Sequence, residues 1–486
     1  MSGLLPVLAV LSRVLVVYAL LFLVPMIWGW LVDHRAMREV WVTSAGLTLA
    51  CGAALWLLTA RQRRELMPRD GFLLVNLVWL VLPAFGAVPL VLAIDGLSWT
   101  DAYFESMSGL TATGATVLSG LDHLPVSVNI WRCFMQLVGG LGIVLLVVAI
   151  LPLLGLGSVQ LYKAETPGPM KDARLTPRIT ETARGLWAVY FVLSAACLAG
   201  YRWAGMDWAD AFMHMCSTMG LGGFSSRDAS LGHWASWQVE AVAILFMTLA
   251  GINFARYFIV WRSRSFGPLW RDVEVRAYVA ALAASTALLT LLLLEHGVYA
   301  DAETALRMAA FQVVSVATTT GYASTDYALW PVFAPVWLMF LGCFVSCAGS
   351  TGGGIKMVRM LLLIKQARRE LVRAIHPRVV NPVTLGRSTI APKVIAAVMA
   401  YMLIYGASTI GLTMLLLLSG LDIVTAFSAV VATVNNIGPG LGQVGPAANF
   451  GVLTDFQTWV CTVAMLLGRL ELLAVMVLFI PQFWRK

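Results

Sequence analysis

Residues 101–114 read DAYFESMSGLTATG, and the last four, Thr111-Ala112-Thr113-Gly114, decide how the chain is built. A short run ending in glycine recurs three more times inside otherwise apolar sequence: Gly220-Leu221-Gly222-Gly223, Thr318-Thr319-Thr320-Gly321 and Asn435-Asn436-Ile437-Gly438. A bare cation leaving water needs its hydration oxygens replaced. Backbone carbonyls supply them only where the chain is extended and glycine permits dihedrals that other residues resist. Four such runs can ring a cation pathway.

The four glycines lie 109, 98 and 117 residues apart. That period far exceeds a solenoid repeat and accommodates two membrane spans plus a re-entrant segment. Eleven residues before each glycine stand Tyr103, Phe212, Ala310 and Phe427, each preceded by alanine (Ala102, Ala211, Ala309, Ala426), so the registers agree without a gap. Asp101 and Asp210 stand just ahead of the first two copies, where an acid caps a helix N-terminus and favours its dipole. Each copy reads as a short helix turning into extended chain. At about three turns these are too short for a bilayer, so they read as re-entrant half-helices whose irregular ends line a water-filled cavity.

The 486 residues are 59% hydrophobic and 12% charged, with mean hydropathy +0.82; soluble domains carry roughly twice that charged fraction. This is the composition of a polytopic membrane protein. Apolar runs long enough to span occur near 5–31, 39–60, 71–93, 128–155, 183–202, 235–261, 277–299, 332–363, 391–419 and 455–483. Ten spans result, with a half-helix inside each of the last four pairs. Basic residues concentrate in 61–70, 156–184, 262–276, 356–393 and 485–486, which hold 24 of the 33. All five segments fall on one side of the ten-span scheme, so the positive-inside rule puts both termini in the cytoplasm and sends the half-helices in from outside. The opposite side carries Asp95, Asp101, Asp122, Asp207, Asp210, Asp301, Glu303, Asp326, Asp422 and Asp455, an acidic vestibule that would concentrate cations.

Seven cysteines form no CxxC pair, and six histidines show no metal spacing. No acid, base and nucleophile can be assembled, which argues against an enzyme.

The pattern of helix, half-helix, glycine run and helix, four times in one chain, resembles the Trk/Ktr/HKT superfamily of potassium transporters from about residue 71 onward. The two extra N-terminal spans, Asn435-Asn436-Ile437-Gly438-Pro439-Gly440 and Gly349-Ser350-Thr351-Gly352-Gly353-Gly354-Ile355-Lys356 are similar to its TrkH branch. The resemblance implies an all-α polytopic membrane protein with four pseudo-repeated pore units around a central pore. Residues 1–70 would hold two leading helices and a cytoplasmic loop. The pore units would occupy 71–155, 156–262, 263–375 and 376–486.

Gly114, Gly223, Gly321 and Gly438 would be the filter glycines. The carbonyls of Thr111, Ala112, Gly220, Leu221, Thr318, Thr319, Asn435 and Asn436 would face the ion, with Thr113, Gly222, Thr320 and Ile437 completing the strands. Serine at the first glycine goes with sodium permeation in HKT relatives, so Gly114 points to potassium. The implied role is potassium uptake across the bacterial inner membrane, with K+ as transported ion and no organic cofactor. The implied partners are a second copy of the chain, membrane lipid and a TrkA-like cytoplasmic nucleotide-binding subunit, with no nucleic acid. The chain itself has no glycine-rich nucleotide loop following a strand. Cation coupling stays open. The competing class is a secondary transporter of ammonium or a small organic substrate bound between repeats.

Two features interrupt the apolar pattern. Gly349, Gly352, Gly353 and Gly354 fall within six residues of the 332–363 run. Each costs about 0.5–1 kcal/mol in a helix interior, so an unwound intramembrane segment is expected there, acting as a gate below the third filter strand. A packing kink is the alternative. Arg469 lies near the middle of the last span, where a bare charge costs at least ~2.5 kcal/mol. It either sits beneath the filter or pairs with Glu471 or a neighbouring helix. Glu105 would brace the filter or meet a polar neighbour, and Arg307 would be exposed in the vestibule.

Overall fold

The computed structural model describes residues 4–33, 35–62, 64, 66–145, 175–386 and 388–485. The end of the expected span 128–155, Lys163, Lys171 and Arg174 of the basic segment 156–184, and His34, Arg63 and Lys486 lie outside the described residues.

Helices α1 (Leu5–Leu21) and α2 (Leu23–Leu31) form one apolar rod, followed by α3 (Arg35–Thr59) and α4 (Pro68–Ala93). The half-helix α5 (Trp99–Leu110) leads to α6 (Val126–Leu145). Next come α7 (Leu175–Trp203), the half-helix α8 (Trp208–Gly220), α9 (Trp237–Ala250) and α10 (Phe254–Ser263). The third group is α11 (Val273–Glu295), the half-helix α12 (Ala302–Ala317), α13 (Phe333–Phe344) and α14 (Met357–Ile375). A two-residue hairpin, β1 (Thr384–Leu385) with β2 (Ser388–Thr389), precedes α15 (Pro392–Leu418), the half-helix α16 (Ile423–Val434), α17 (Asp455–Arg469) and α18 (Leu473–Met476).

Each half-helix packs on the helix that follows the previous one: α8 on α6, α12 on α9, α16 on α13 and, closing the circle, α5 on α17. A fourfold arrangement therefore surrounds the middle of the molecule. The leading helices are bolted outside it by aromatic stacking, with Phe22 on Trp131 at 4.4 Å between centroids and Trp41 Nε1 donating to Ser127 Oγ at 2.9 Å.

In the first two half-helices the cap lies one turn earlier than the sequence suggests. Ser98, Asp207, Asp301 and Asp422 accept the amides of Asp101, Asp210, Thr304 and Thr425, while Asp101 and Asp210 themselves occupy the third helical position. The acid there still favours the dipole. Capping thus absorbs three of the expected vestibule carboxylates.

Among the described residues seven of the ten expected spans are helices long and apolar enough to cross a membrane. The other three are broken. Residues 235–261 bend by 86° between α9 and α10, where Asn253 Oδ1 accepts the amide of Ala255 at 2.9 Å and starts a new helix inside an apolar run. Residues 455–483 bend by 105° after α17, through Glu471 and Leu472 at φ 55° and 48°. Left-handed backbone at such residues costs on the order of 1–3 kcal/mol each, and the Arg359–Glu471 ion pair at 2.6 Å holds it. Residues 332–363 divide into α13 and α14 around the non-helical segment 345–356, as the glycines there imply.

Candidate ion pathway

All four half-helices end alike. In each terminal run the second residue is left-handed (Ala112 φ 50°, Leu221 54°, Thr319 62°, Asn436 54°), and so is the fourth, glycine (Gly114 82°, Gly223 77°, Gly321 81°, Gly438 100°). The third amide turns back onto the carbonyl five residues earlier: Thr113 onto Ser108, Gly222 onto Ser217, Thr320 onto Ser315 and Ile437 onto Ala432, at 2.8–2.9 Å. That is the bond of a Schellman-type cap, which ends the helix and leads the chain off in a new direction.

The four strands close into a ring. A Cβ on Gly114 would run into Gly222 O, one on Gly223 into Thr320 O, one on Gly321 into Ile437 O and one on Gly438 into Thr113 O. Each glycine is therefore the seam with the next strand, in cyclic order, and the positive φ argues for glycine independently. The sequence-expected residues are all brought together here. Gly114, Gly223 and Gly321 show at the mouth of the ring, where with Pro439 they line a cavity that Arg227 and Asp228 also border.

Polar side chains at corresponding places brace the ring from behind. Nine residues before the filter glycine, Glu105 accepts Thr116 Oγ1 (2.9 Å) and the Val117 amide (3.1 Å), His214 Nε2 bonds Ser225 Oγ (3.0 Å) and Gln312 Nε2 donates to Ser324 Oγ (3.2 Å). The fourth copy has Ala429 there, and Ser428 Oγ accepts the Leu441 amide instead (2.8 Å). Glu105 also pairs with Arg132 at 2.7 Å, both fully buried, so it meets a charged partner as well as the chain that follows Gly114.

At the mouth Arg227 bridges Asp122 (3.3 Å) and Asp210 (3.1 Å). Partial burial raises the Asp122 carboxyl, but the Asp228 amide and Arg227 outweigh it and hold it below the ordinary carboxylate range. Arg307 is not a lone vestibule charge: it grips buried Glu240 with two bonds of 2.5 and 2.9 Å.

The glycine segment lies against the feet of the half-helices. Thr351 Oγ1 donates to Met219 O (3.0 Å) and the Gly353 amide to Thr319 Oγ1 (2.8 Å), while Ser346 Oγ donates to Gly353 O (2.7 Å). A Cβ on Gly352 would meet Thr318 O, and one on Gly353 Asn435 O. Gly349 and Gly354 are left-handed, at φ 74° and 78°. Ser350 Oγ bonds Cys347 O within the loop (2.7 Å). Arg469 donates to Thr351 O (2.8 Å) and Gly139 O (3.0 Å), tying the loop to α6. Its expected alternative partner, Glu471, pairs with Arg359 instead.

The family model described as TrkH, cation transport protein, matches residues 37–486. The chain belongs to the TrkH family. It is 44% identical over 448 residues to the Trk system potassium uptake protein TrkH of Vibrio parahaemolyticus, covering 92% of each chain. TrkH of Escherichia coli K12 is 43% identical over 441 residues, covering 90% of this chain and 91% of its own. TrkG of the same organism is 37% identical over 471 residues, 96% of each. The crystal structure of TrkH from Vibrio parahaemolyticus superposes with a TM-score of 0.91 at 39% identity, covering 99% of both chains. TrkH proteins are transporters, not enzymes, and this one is a membrane protein with bacterial relatives.

Sequence reasoning missed several residues of this TrkH-family site. Lys356 and Arg359 counted toward a cytoplasmic basic surface, yet both are buried: Lys356 Nζ donates to Gly352 O, and Arg359 holds Glu471 and stacks on Tyr401 at 4.2 Å. Gly139 and Gly468 allow α6 and α17 to press against Leu110 O and Val434 O, where a side chain would collide. Gln136 reads as a stray polar residue in α6 and in fact bonds the second filter strand.

Proposed function

We propose that this chain takes up potassium across the bacterial cytoplasmic membrane through the four-stranded ring, with both termini in the cytoplasm and the mouth of the ring outside. The observation that carries the reading is the cyclic seam, in which each filter glycine packs on the third carbonyl of the next strand. A ring held at four seams presents a fixed set of carbonyls to a dehydrated cation, and the C-terminal dipoles of the four half-helices favour positive charge below it. The carbonyls of Thr111, Ala112, Gly220, Leu221, Thr318, Thr319, Asn435 and Asn436 receive the ion.

Gly349, Ser350, Thr351, Gly352, Gly353 and Gly354, with Arg469, form the gate. A TrkA-like nucleotide-binding subunit controls it from the cytoplasm, and two copies of the chain assemble as a dimer. The landing surface is the exposed end of α14, Arg368 and Arg373 included, rather than its buried start.

The test is flux in liposomes. The parent protein is expected to take up rubidium in preference to sodium, and Gly114→Ser to let sodium compete, because any side chain at Gly114 strains the backbone and displaces Gly222 O. The loss expected is about tenfold in the rubidium-to-sodium ratio, the factor for about 1.4 kcal/mol. Unchanged discrimination in the variant removes Gly114 from the filter.

A further inference from the structure

Three of the four filter strands carry side chains that lock them. Thr111 and Thr113 hydroxyls bond each other at 2.7 Å, and those of Thr318 and Thr320 at 2.8 Å. In the fourth strand Asn435 Nδ2 donates to Val431 O and Asn436 Nδ2 to Thr113 Oγ1, both at 2.8 Å. The second strand, Gly220-Leu221-Gly222-Gly223, has no polar side chain, and three of its four residues are glycine. Such backbone has the most conformational freedom to lose. It should be the loosest part of the ring.

A residue outside the strand supplies what it lacks. Gln136, fully buried on α6, donates from Nε2 to Gly222 O at 2.8 Å and accepts the Phe224 amide on Oε1 at 3.1 Å. One side-chain amide thus grips both ends of the segment that contains Gly223. The fit is reciprocal: a Cβ on Gly222 would collide with the Gln136 amide group, and one on Gly220 with the Gln136 backbone oxygen. Gly222 O is also the oxygen on which Gly114 closes the seam between first and second strands.

We infer that Gln136 is the positioning residue of the second filter strand and sets discrimination between potassium and sodium without touching the ion. The inference rests on the filter reading above. Sodium is smaller and is coordinated well only if carbonyls close in around it, so selectivity depends on strands that resist closing. Without the Gln136 clamp, the strand richest in glycine is free to follow the smaller ion.

The experiment is rubidium and sodium uptake by full-length protein in liposomes, scored as a ratio, which does not depend on how much protein folds. Gln136→Met keeps length and volume but removes donor and acceptor. Gln136→Asn keeps the amide but withdraws it from Gly222, and carries the test if the methionine variant does not fold. Gln136→Asn is expected to lower the rubidium-to-sodium ratio by about fivefold, the factor for one hydrogen bond of about 1 kcal/mol, and Gln136→Met, which loses both bonds, by at least as much. A folded variant of either kind with the parent's ratio overturns the inference. Gly114→Ser in the same assay separates the failures: if it alone shifts the ratio, the filter stands and Gln136 has no part in selectivity. If none of the three does, the filter reading itself fails.

Discussion

Protein lacking Gly352, Gly353 and Gly354 is expected to carry potassium faster than the parent and to depend less on a regulatory subunit. The deletion removes the Gly353 amide bond to Thr319 Oγ1, the Ser346 bond to Gly353 O and the Lys356 contact with Gly352 O. At about 1 kcal/mol for each hydrogen bond, the closed arrangement loses enough for a rise of about tenfold to a hundredfold in basal flux. The deletion also removes Gly352 and Gly353, the residues that lie against Thr318 O and Asn435 O. Arg469→Ala should move in the same direction by less, since it frees Thr351 O but leaves the loop intact. Selectivity over sodium should survive both changes, because the seams of the ring involve neither. Rubidium uptake in liposomes measures all of this. A deletion protein that folds and conducts no faster than the parent reduces the glycines to a packing kink.

Glu105→Ala is expected to cost about 3–5 kcal/mol of stability, the usual penalty for leaving one member of a buried ion pair alone. Arg132 would stay fully buried over the Phe224 ring at 4.5 Å without its carboxylate, and the Thr116 hydroxyl and Val117 amide would lose their acceptor. Glu105→Gln should cost less, because an amide oxygen still accepts. Adding Arg132→Met to Glu105→Ala should restore part of the loss, since the stranded charge goes with it. Thermal unfolding in detergent of the two single variants and the double provides the cycle. If the double variant is destabilised by the full sum of the singles, the pair is not coupled and does not brace the ring.

How far the sequence could be read follows from how local each signal is. The four glycine-ended runs that close the ring were legible because a hydroxyl, amide or glycine group inside apolar sequence is a local anomaly, and its return in one register marks equivalent positions. Cap placement slipped by a turn because Ser98 and Asp207 stand three residues before Asp101 and Asp210, and either member of each pair satisfies the same pattern. The bends were not legible. Hydropathy averaged over a span passes across Asn253 and Glu471, and the partner that holds the bend in the last helix, Arg359, lies 112 residues away. Lys356 and Arg359 looked like topology signals for the same reason: a basic residue advertises its charge, while the carbonyl or carboxylate it meets belongs to another element. Gln136 was invisible in kind, since its meaning lies in the side chains that the second filter strand does not have.

The most direct test of the account is to locate the ion itself by collecting anomalous diffraction from crystals soaked in rubidium. The account predicts density on the axis of the ring, encircled by the carbonyls of Thr111, Ala112, Gly220, Leu221, Thr318, Thr319, Asn435 and Asn436. Rubidium bound between helices away from that axis, with the ring empty, would contradict it and return the chain to the class of transporters that hold their substrate between repeats.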